Sequence, residues 1–120
     1  RTAKERLDLF KSASSELMTA LIPVADDMDR AFTEFKKSEN ENLIKGFELI
    51  YNKLNDTLKA NGLTEIIVNK GDVFDSEKHE AITQIKATDK KMVGKVVDVI
   101  ETGYSLGEKI LRYPKVVVAN

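Results

Sequence analysis

From Arg1 to about Lys37 the apolar positions recur at helical spacing. Leu7, Phe10, Leu17, Leu21, Val24, Met28, Ala31 and Phe35 alternate steps of three and four, with Ser14 filling the one polar gap. That is the pattern of a coiled-coil or bundle seam. Glu5, Arg6, Asp8, Lys11 and Glu16 fall off the seam, where charge stays in water. One apolar stripe does not stabilise a lone helix, so the stripe must lie on something. Pro23 removes a backbone donor and crowds the preceding turn, which predicts a kink or a helix restart there. After the polar, turn-like stretch Ser38 to Asn42, a second helical series follows: Leu43, Phe47, Ile50, Leu54 and Leu58. Gly62 after Asn61 reads as a left-handed C-terminal cap. Two antiparallel helices on a short loop bury little apolar area, whereas two such hairpins make a four-helix bundle. Homodimerisation is the simplest source of the second hairpin.

Beyond Gly62 the period changes. Ile66 to Val68 is a short β-prone run ended by the turn residues Asn69, Gly71 and Asp72. Asp75 or Ser76 is placed to cap a single helical turn leading to His79. Ala81 to Ala87 alternates, Val96 to Ile100 is a further strand, and Gly103 and Gly107 bracket a hairpin. Ile110 through Ala119 is expected as its return strand, with Pro114 marking an edge or a bulge. The fold class is α+β. A long helix and a helical hairpin in residues 1–62 form a dimeric four-helix bundle, and residues 63–120 form a small all-β domain of short strands.

Composition narrows the function. Of 120 residues, 42% are hydrophobic and 32% charged, a balance that suits long solvated helix faces over a thin interior. Nineteen Lys and Arg against 20 Asp and Glu give a formal net charge of -1, without the basic surplus of a nucleic-acid binder. Lys36-Lys37 and Lys90-Lys91 are too short to change that. The absence of cysteine excludes disulfides and cysteine-ligated zinc. No apolar run approaches the roughly 20 residues that span a bilayer. The chain starts at Arg1 without a signal-peptide pattern and reads as a piece of something longer.

Candidate chemistry is sparse. His79 is the single histidine, and Asp75, Glu77 and Glu80 around it match no ligand template, so a hydrogen-bonded structural role is expected. Asp26, Asp27 and Asp29 read as first-turn acids after Pro23, complementing the helix dipole, in preference to a magnesium site. Gly103 and Gly107 do not lead from a strand into a helix, which leaves a phosphate loop unsupported. No catalytic residue, cofactor or metal is expected.

Five strings carry a resemblance. Phe74-Asp75-Ser76-Glu77-Lys78-His79-Glu80-Ala81-Ile82 is similar to the GrpE segment Phe-Asp-Pro-x-x-His-x-Ala-hydrophobic, with Ser76 where proline is common. Gly103-Tyr104-Ser105-Leu106-Gly107-Glu108-Lys109-Ile110-Leu111-Arg112 resembles the family's Gly-Tyr-x-Leu-x-x-Arg-hydrophobic-hydrophobic-Arg. Lys115 to Ala119 continues the match, with Tyr113-Pro114 in place of Pro-Ala. Leu21 to Ala31 resembles Leu-Leu-Pro-Val-hydrophobic-Asp-x-hydrophobic-x-Arg-Ala, and Gly46 to Tyr51 resembles Gly-hydrophobic-Glu-x-hydrophobic-Tyr. Arg1-Thr2 would match the end of the family's stalk helix.

The resemblance implies a parallel homodimer that acts as a nucleotide exchange factor. One β domain would bind the ATPase domain of a DnaK-type chaperone and open its nucleotide cleft, so that ADP leaves. The protein would not bind nucleotide, nucleic acid or membrane itself, and the bacterial cytoplasm is favoured over an organelle matrix. Leu17, Leu21, Val24, Met28, Phe47, Ile50 and Leu54 would form the dimer interface. Lys109 takes the family's basic hairpin position, with Ile100 and Val118 either as apolar chaperone contacts or as core. Gly46 would mark a close helix approach or a partner-facing gap. Phe74, Asp75, His79, Ala81, Gly103, Tyr104 and Arg112 would be structural. The helices would melt ahead of the β domain and switch exchange down. A generic coiled-coil adaptor with a β-rich binding module is the alternative, and a small enzyme using His79 with Asp75 a third class.

Overall fold

The computed structural model describes residues 2–120; Arg1, and with it the Arg1 half of the stalk match, lies outside the described residues. The chain divides into two compact units, one through Leu63 and one from Thr64 to Asn120. The first contains helices α1 (Ala3–Phe35) and α2 (Glu41–Ala60). The second is built from strands β1 (Leu63–Ile66, beginning at the boundary), β2 (Glu80–Ile85), β3 (Val96–Glu101), β4 (Gly103–Leu106), β5 (Lys109–Arg112) and β6 (Lys115–Ala119), with one 3-10 turn at Lys90–Met92. The α+β class read from the sequence is the class observed.

Each helix begins on a side-chain cap. Thr2 Oγ1 accepts from the Glu5 amide at 3.2 Å and Asn40 Oδ1 from the Leu43 amide at 3.1 Å, satisfying donors that the helix cannot. Gly62 sits past the end of α2 with φ 96°, the left-handed conformation expected there. Pro23 neither ends nor restarts α1. Over 33 residues the remaining hydrogen bonds carry the helix through the one that proline removes. Asp26, Asp27 and Asp29 therefore lie in mid-helix, and the first-turn dipole reading of them is corrected. Asp27 pairs with Arg30, and Asp29 Oδ1 accepts from the Tyr51 hydroxyl at 2.7 Å.

The two helices run antiparallel, joined by aromatic contacts. Phe35 lies 4.9 Å and Phe32 5.9 Å from the Phe47 ring, and Phe32 is 5.2 Å from Tyr51. Ser15, Met18, Ile22 and Ala25 are the buried residues of α1, and they continue in steps of three and four into Asp29 and Phe32, which meet Tyr51 of α2. This face is offset by one residue, about 100° around the helix, from the series read in the sequence. Part of that series stays outside, Phe10 being 70%, Leu17 60% and Val24 48% exposed, while Leu21, Met28, Ala31 and Phe35 are half-buried. On α2, Phe47, Leu54 and Leu58 turn inward as expected, but Leu43 and Ile50 are exposed, and Ile44 and Tyr51 take their places.

In the second unit, β2, β6 and β3 form a sheet with β6 central, parallel to β2 and antiparallel to β3. Its core is Val96, Val116 and Val118, against which Val68, Phe74 and Val99 pack. A second sheet has the order β1-β4-β5. The return strand expected from Ile110 to Ala119 is two strands in different sheets, because Pro114 cannot donate to a ladder and the chain changes sheet there. Pro114 is fully buried against Gly103, where an added Cβ would stand 2.4 Å from the proline Cδ and nitrogen. Gly103→Ala is therefore expected to destabilise the second unit by about 3 kcal/mol. Urea unfolding followed by circular dichroism reads this, and a loss under about 0.5 kcal/mol would contradict so close a contact.

Candidate functional site

Three of the five strings that resemble GrpE converge in the second unit. Asp75 and His79 close a turn ahead of β2: the Asp75 carbonyl accepts from the His79 amide at 2.8 Å and from the Lys78 amide at 3.0 Å. Asp75 Oδ1 accepts from the Glu77 amide at 2.9 Å, so the capping role read for Asp75 is the one observed. The Asp75 amide donates to His79 Nδ1 at 3.1 Å, and the imidazole stands 5.8 Å from the Phe74 ring, which packs on the valine core. His79 is thus hydrogen-bonded within the turn and packed beside Phe74. Ala81 pairs with Val116 in the parallel ladder, and the Glu80 amide donates to the Pro114 carbonyl at 2.9 Å. The Phe74–Ala81 string is in this way fastened to the Lys115–Ala119 string.

The Gly103–Arg112 string is a hairpin of β4 and β5 with Leu106 opposite Lys109. Gly107, with φ 60°, takes the first position of its two-residue turn, where a positive φ matches the twist of the flanking strands. Lys109, at the tip, is exposed. Tyr104 faces Arg112 across the hairpin, with the guanidinium 5.5 Å from the ring centre. Arg112 Nε donates to the Thr102 carbonyl at 2.8 Å, its terminal nitrogen donates to the same oxygen, and it pairs with Glu101 at 2.8 Å. Glu101 also pairs with Lys115 at 3.3 Å.

The sequence pattern that defines GrpE matches residues 1–120. The chain belongs to the GrpE family. It is 39% identical over 119 residues to Protein GrpE of Bacteroides fragilis, an alignment covering 98% of this chain and 60% of the relative. Identity is 36% over 119 residues with Protein GrpE of Bacteroides thetaiotaomicron, covering 98% and 61%. Protein GrpE of Thermotoga neapolitana is 38% identical over 117 residues, covering 98% and 67%. The chain spans about 60% of the length of the Bacteroides GrpE proteins it matches.

Within this GrpE chain the residues named as chaperone contacts separate. Lys109 and Ile100 are exposed, on different sheets. Val118 is 6% exposed and belongs to the valine core, so its place as an apolar contact is corrected to the core alternative. Gly46 is exposed on α2, and a Cβ there would meet nothing within 4 Å, which removes a close approach between the two helices as the reason for glycine. Of the interface series, Leu17, Val24 and Ile50 are exposed, Leu21 and Met28 half-buried, and Phe47 and Leu54 occupied within the chain. Sequence reasoning missed Glu101, Thr102 and Pro114 as partners of the matched strings, since a carbonyl acceptor and a close backbone contact leave no residue signature. Exposed Ile110 within β5 and Tyr113 just after it were not read as surface positions. Among the described residues no group of His, Cys, Asp or Glu is arranged to hold a metal ion, and no helix is long and apolar enough to cross a membrane.

His79→Ala leaves the Asp75 amide without its acceptor. The expected result is a stability loss of about 1 kcal/mol and at least about tenfold faster exchange of that amide, read by NMR. Unchanged exchange would show that the imidazole is not its partner in solution.

Proposed function

We propose that this chain is the helper portion of a nucleotide exchange factor, a co-chaperone that acts by binding the ATPase domain of a DnaK-type chaperone. The observation carrying this reading is that the GrpE pattern runs over all 120 residues and its basic hairpin position, Lys109, stands exposed on a short, tightly turned hairpin. The chain needs no catalytic residue for this. A protein that expels a nucleotide without touching it binds the open cleft more tightly than the closed one. Moving a cleft from about 1:99 to about 99:1 open takes roughly 5.5 kcal/mol of differential binding. Bound ADP weakens the helper's grip by the same factor. An interface of standard size supplies such a difference. Lys109 contributes a point charge where the family pattern has arginine's planar fork, and Ile100, on the other sheet, an apolar contact. The setting is the bacterial cytoplasm, with no nucleotide, nucleic acid or membrane bound by the chain itself.

The helical unit serves as the dimerisation element. Support comes from the uncovered residues Phe10, Leu17 and Val24 on α1 with Ile50 on α2, exposed apolar side chains of the kind that mark an interaction surface. Residues 1–62 are the dimerising portion in this reading and residues 63–120 the chaperone-binding portion. Gly46 is a partner-facing gap, its Cβ position being open. A seam of single apolar stripes melts at moderate temperature, and exchange falls with it.

Stopped-flow release of a fluorescent ADP analogue from a DnaK-type chaperone tests the activity. Release accelerates with the chain, saturates with its concentration, and falls about tenfold in efficiency for Lys109→Ala. Complex formation without acceleration would remove the exchange reading, and no complex at all would leave the adaptor reading. Sedimentation and calorimetry test the helical unit. The chain sediments as a dimer with a first transition ahead of the β unit's, and Leu17→Asp with Val24→Asp yields a monomer lacking that transition. A wild-type monomer, or one shared transition, would refute it.

A further inference from the structure

Two changes of sheet lie side by side in the second unit. The chain leaves β3 and enters β4 across the single residue Thr102, and leaves β5 for β6 across Tyr113 and Pro114. Gly103 and Pro114 press the two crossings together. Over both lies Arg112, whose side chain is 18% exposed. Its Nε and one terminal nitrogen donate to the Thr102 carbonyl, its other terminal nitrogen meets Glu101 at 2.8 Å, and its guanidinium lies 5.5 Å from the Tyr104 ring centre. Glu101 reaches on to Lys115, the first residue of β6, at 3.3 Å. One side chain thus joins the end of β3, the start of β4 and the end of β5, and through the shared carboxylate the start of β6.

We propose that Arg112 is the positioning residue of the β4–β5 hairpin, fixing the angle at which Lys109 and the turn project from the β2–β6–β3 sheet. The proposal rests on the reading of that hairpin as the partner-facing element. The geometry needs a planar cation with several fixed donors. An ammonium in the same place would offer a point charge and could not serve the carbonyl, the carboxylate and the ring together. Arg112 is outside the group of Val96, Val116 and Val118 that forms the core, so the sheet has its own source of stability. The leverage is appreciable. Four strand residues at about 3.3 Å each put the tip about 13 Å from the crossing, and a tilt of about 10° there moves the tip by about 2 Å. That displacement is enough to misplace a contact residue in a preformed interface.

The test uses the full chain carrying Arg112→Gln or Arg112→Lys, with Lys109→Ala for comparison. The first readout needs no partner: residual dipolar couplings of the β4–β5 and β6 amides, together with hydrogen exchange. In Arg112→Gln, Val116 and Val118 keep their protection within about twofold, while hairpin amides exchange about tenfold faster and no longer share one alignment frame with β6. Arg112→Lys falls between the wild type and Arg112→Gln, and decides the matter if the glutamine variant does not fold. A single alignment frame in the variants, or protection lost equally at Val116, Val118 and the hairpin, would overturn the proposal. The second readout is release of the ADP analogue from the chaperone, with efficiency falling about tenfold for Arg112→Gln. Efficiency unchanged in a variant whose frame has shifted, where Lys109→Ala is impaired, would also overturn it. A wild-type chain that accelerates nothing, beside a frame that shifts in the variant, would defeat the exchange reading and leave the positioning role standing.

Discussion

The helical unit is governed by a conflict between geometry and coverage on α1. A single helix surface carries two apolar series displaced by one residue, and α2 is wide enough to cover only one of them. The covered series holds Ser15 and Asp29 at seam positions. Its packing rests as much on the Tyr51–Asp29 hydrogen bond and the contacts of Phe32 with Phe47 and Tyr51 as on aliphatic burial, and Phe35 from the other series joins them at Phe47. The uncovered series is the more uniformly apolar of the two. Leucine, valine and phenylalanine left in water while a serine is buried are the reverse of what a self-sufficient helical hairpin would select. The proposed dimer follows from that inversion.

The β unit solves a different problem. Six short strands cannot make one large sheet, and here they form two three-stranded sheets joined where the chain passes from one to the other and back. Passing twice at one place demands close backbone approach, which Gly103 and Pro114 supply, and a way to satisfy the carbonyl left between strands, which Arg112 supplies for Thr102. The hydrophobic centre of the unit is small, and the polar junction beside it carries the geometry. Such a junction specifies orientation more than it adds stability, because ion pairs this close to the surface contribute little free energy.

Much of this was legible in the residues, and the misreadings have physical causes. The change from helical to alternating periodicity separated the helices from the strands, and Gly62 and Gly107 marked a helix end and a turn through their backbone freedom. The five motif strings carried the family. The inward face of α1 was hidden because Ser15 and Asp29 lower its apparent hydrophobicity, so the more regular series drew the assignment. Pro23 was overweighted, since one missing hydrogen bond is tolerated in a helix of 33 residues. Pro114 was underweighted: a proline between two good strand sequences signals a change of sheet as readily as a bulge. Val118 could be assigned only once the central position of β6 was known, because alternation alone cannot say which face is covered.

The order of the strands has a consequence for biosynthesis. β6 lies between β2 and β3 and supplies the ladder for both, yet it is made after both. A nascent chain that has emerged only as far as Tyr113 presents two strands with no central partner, along with the apolar side chains that β6 would cover. Pairings of such sequence separation form slowly, and waiting strand edges invite the wrong neighbour. Any event that stops translation before Lys115 leaves a product that cannot assemble this sheet, and quality control would meet it as a chain with β2 and β3 unpaired.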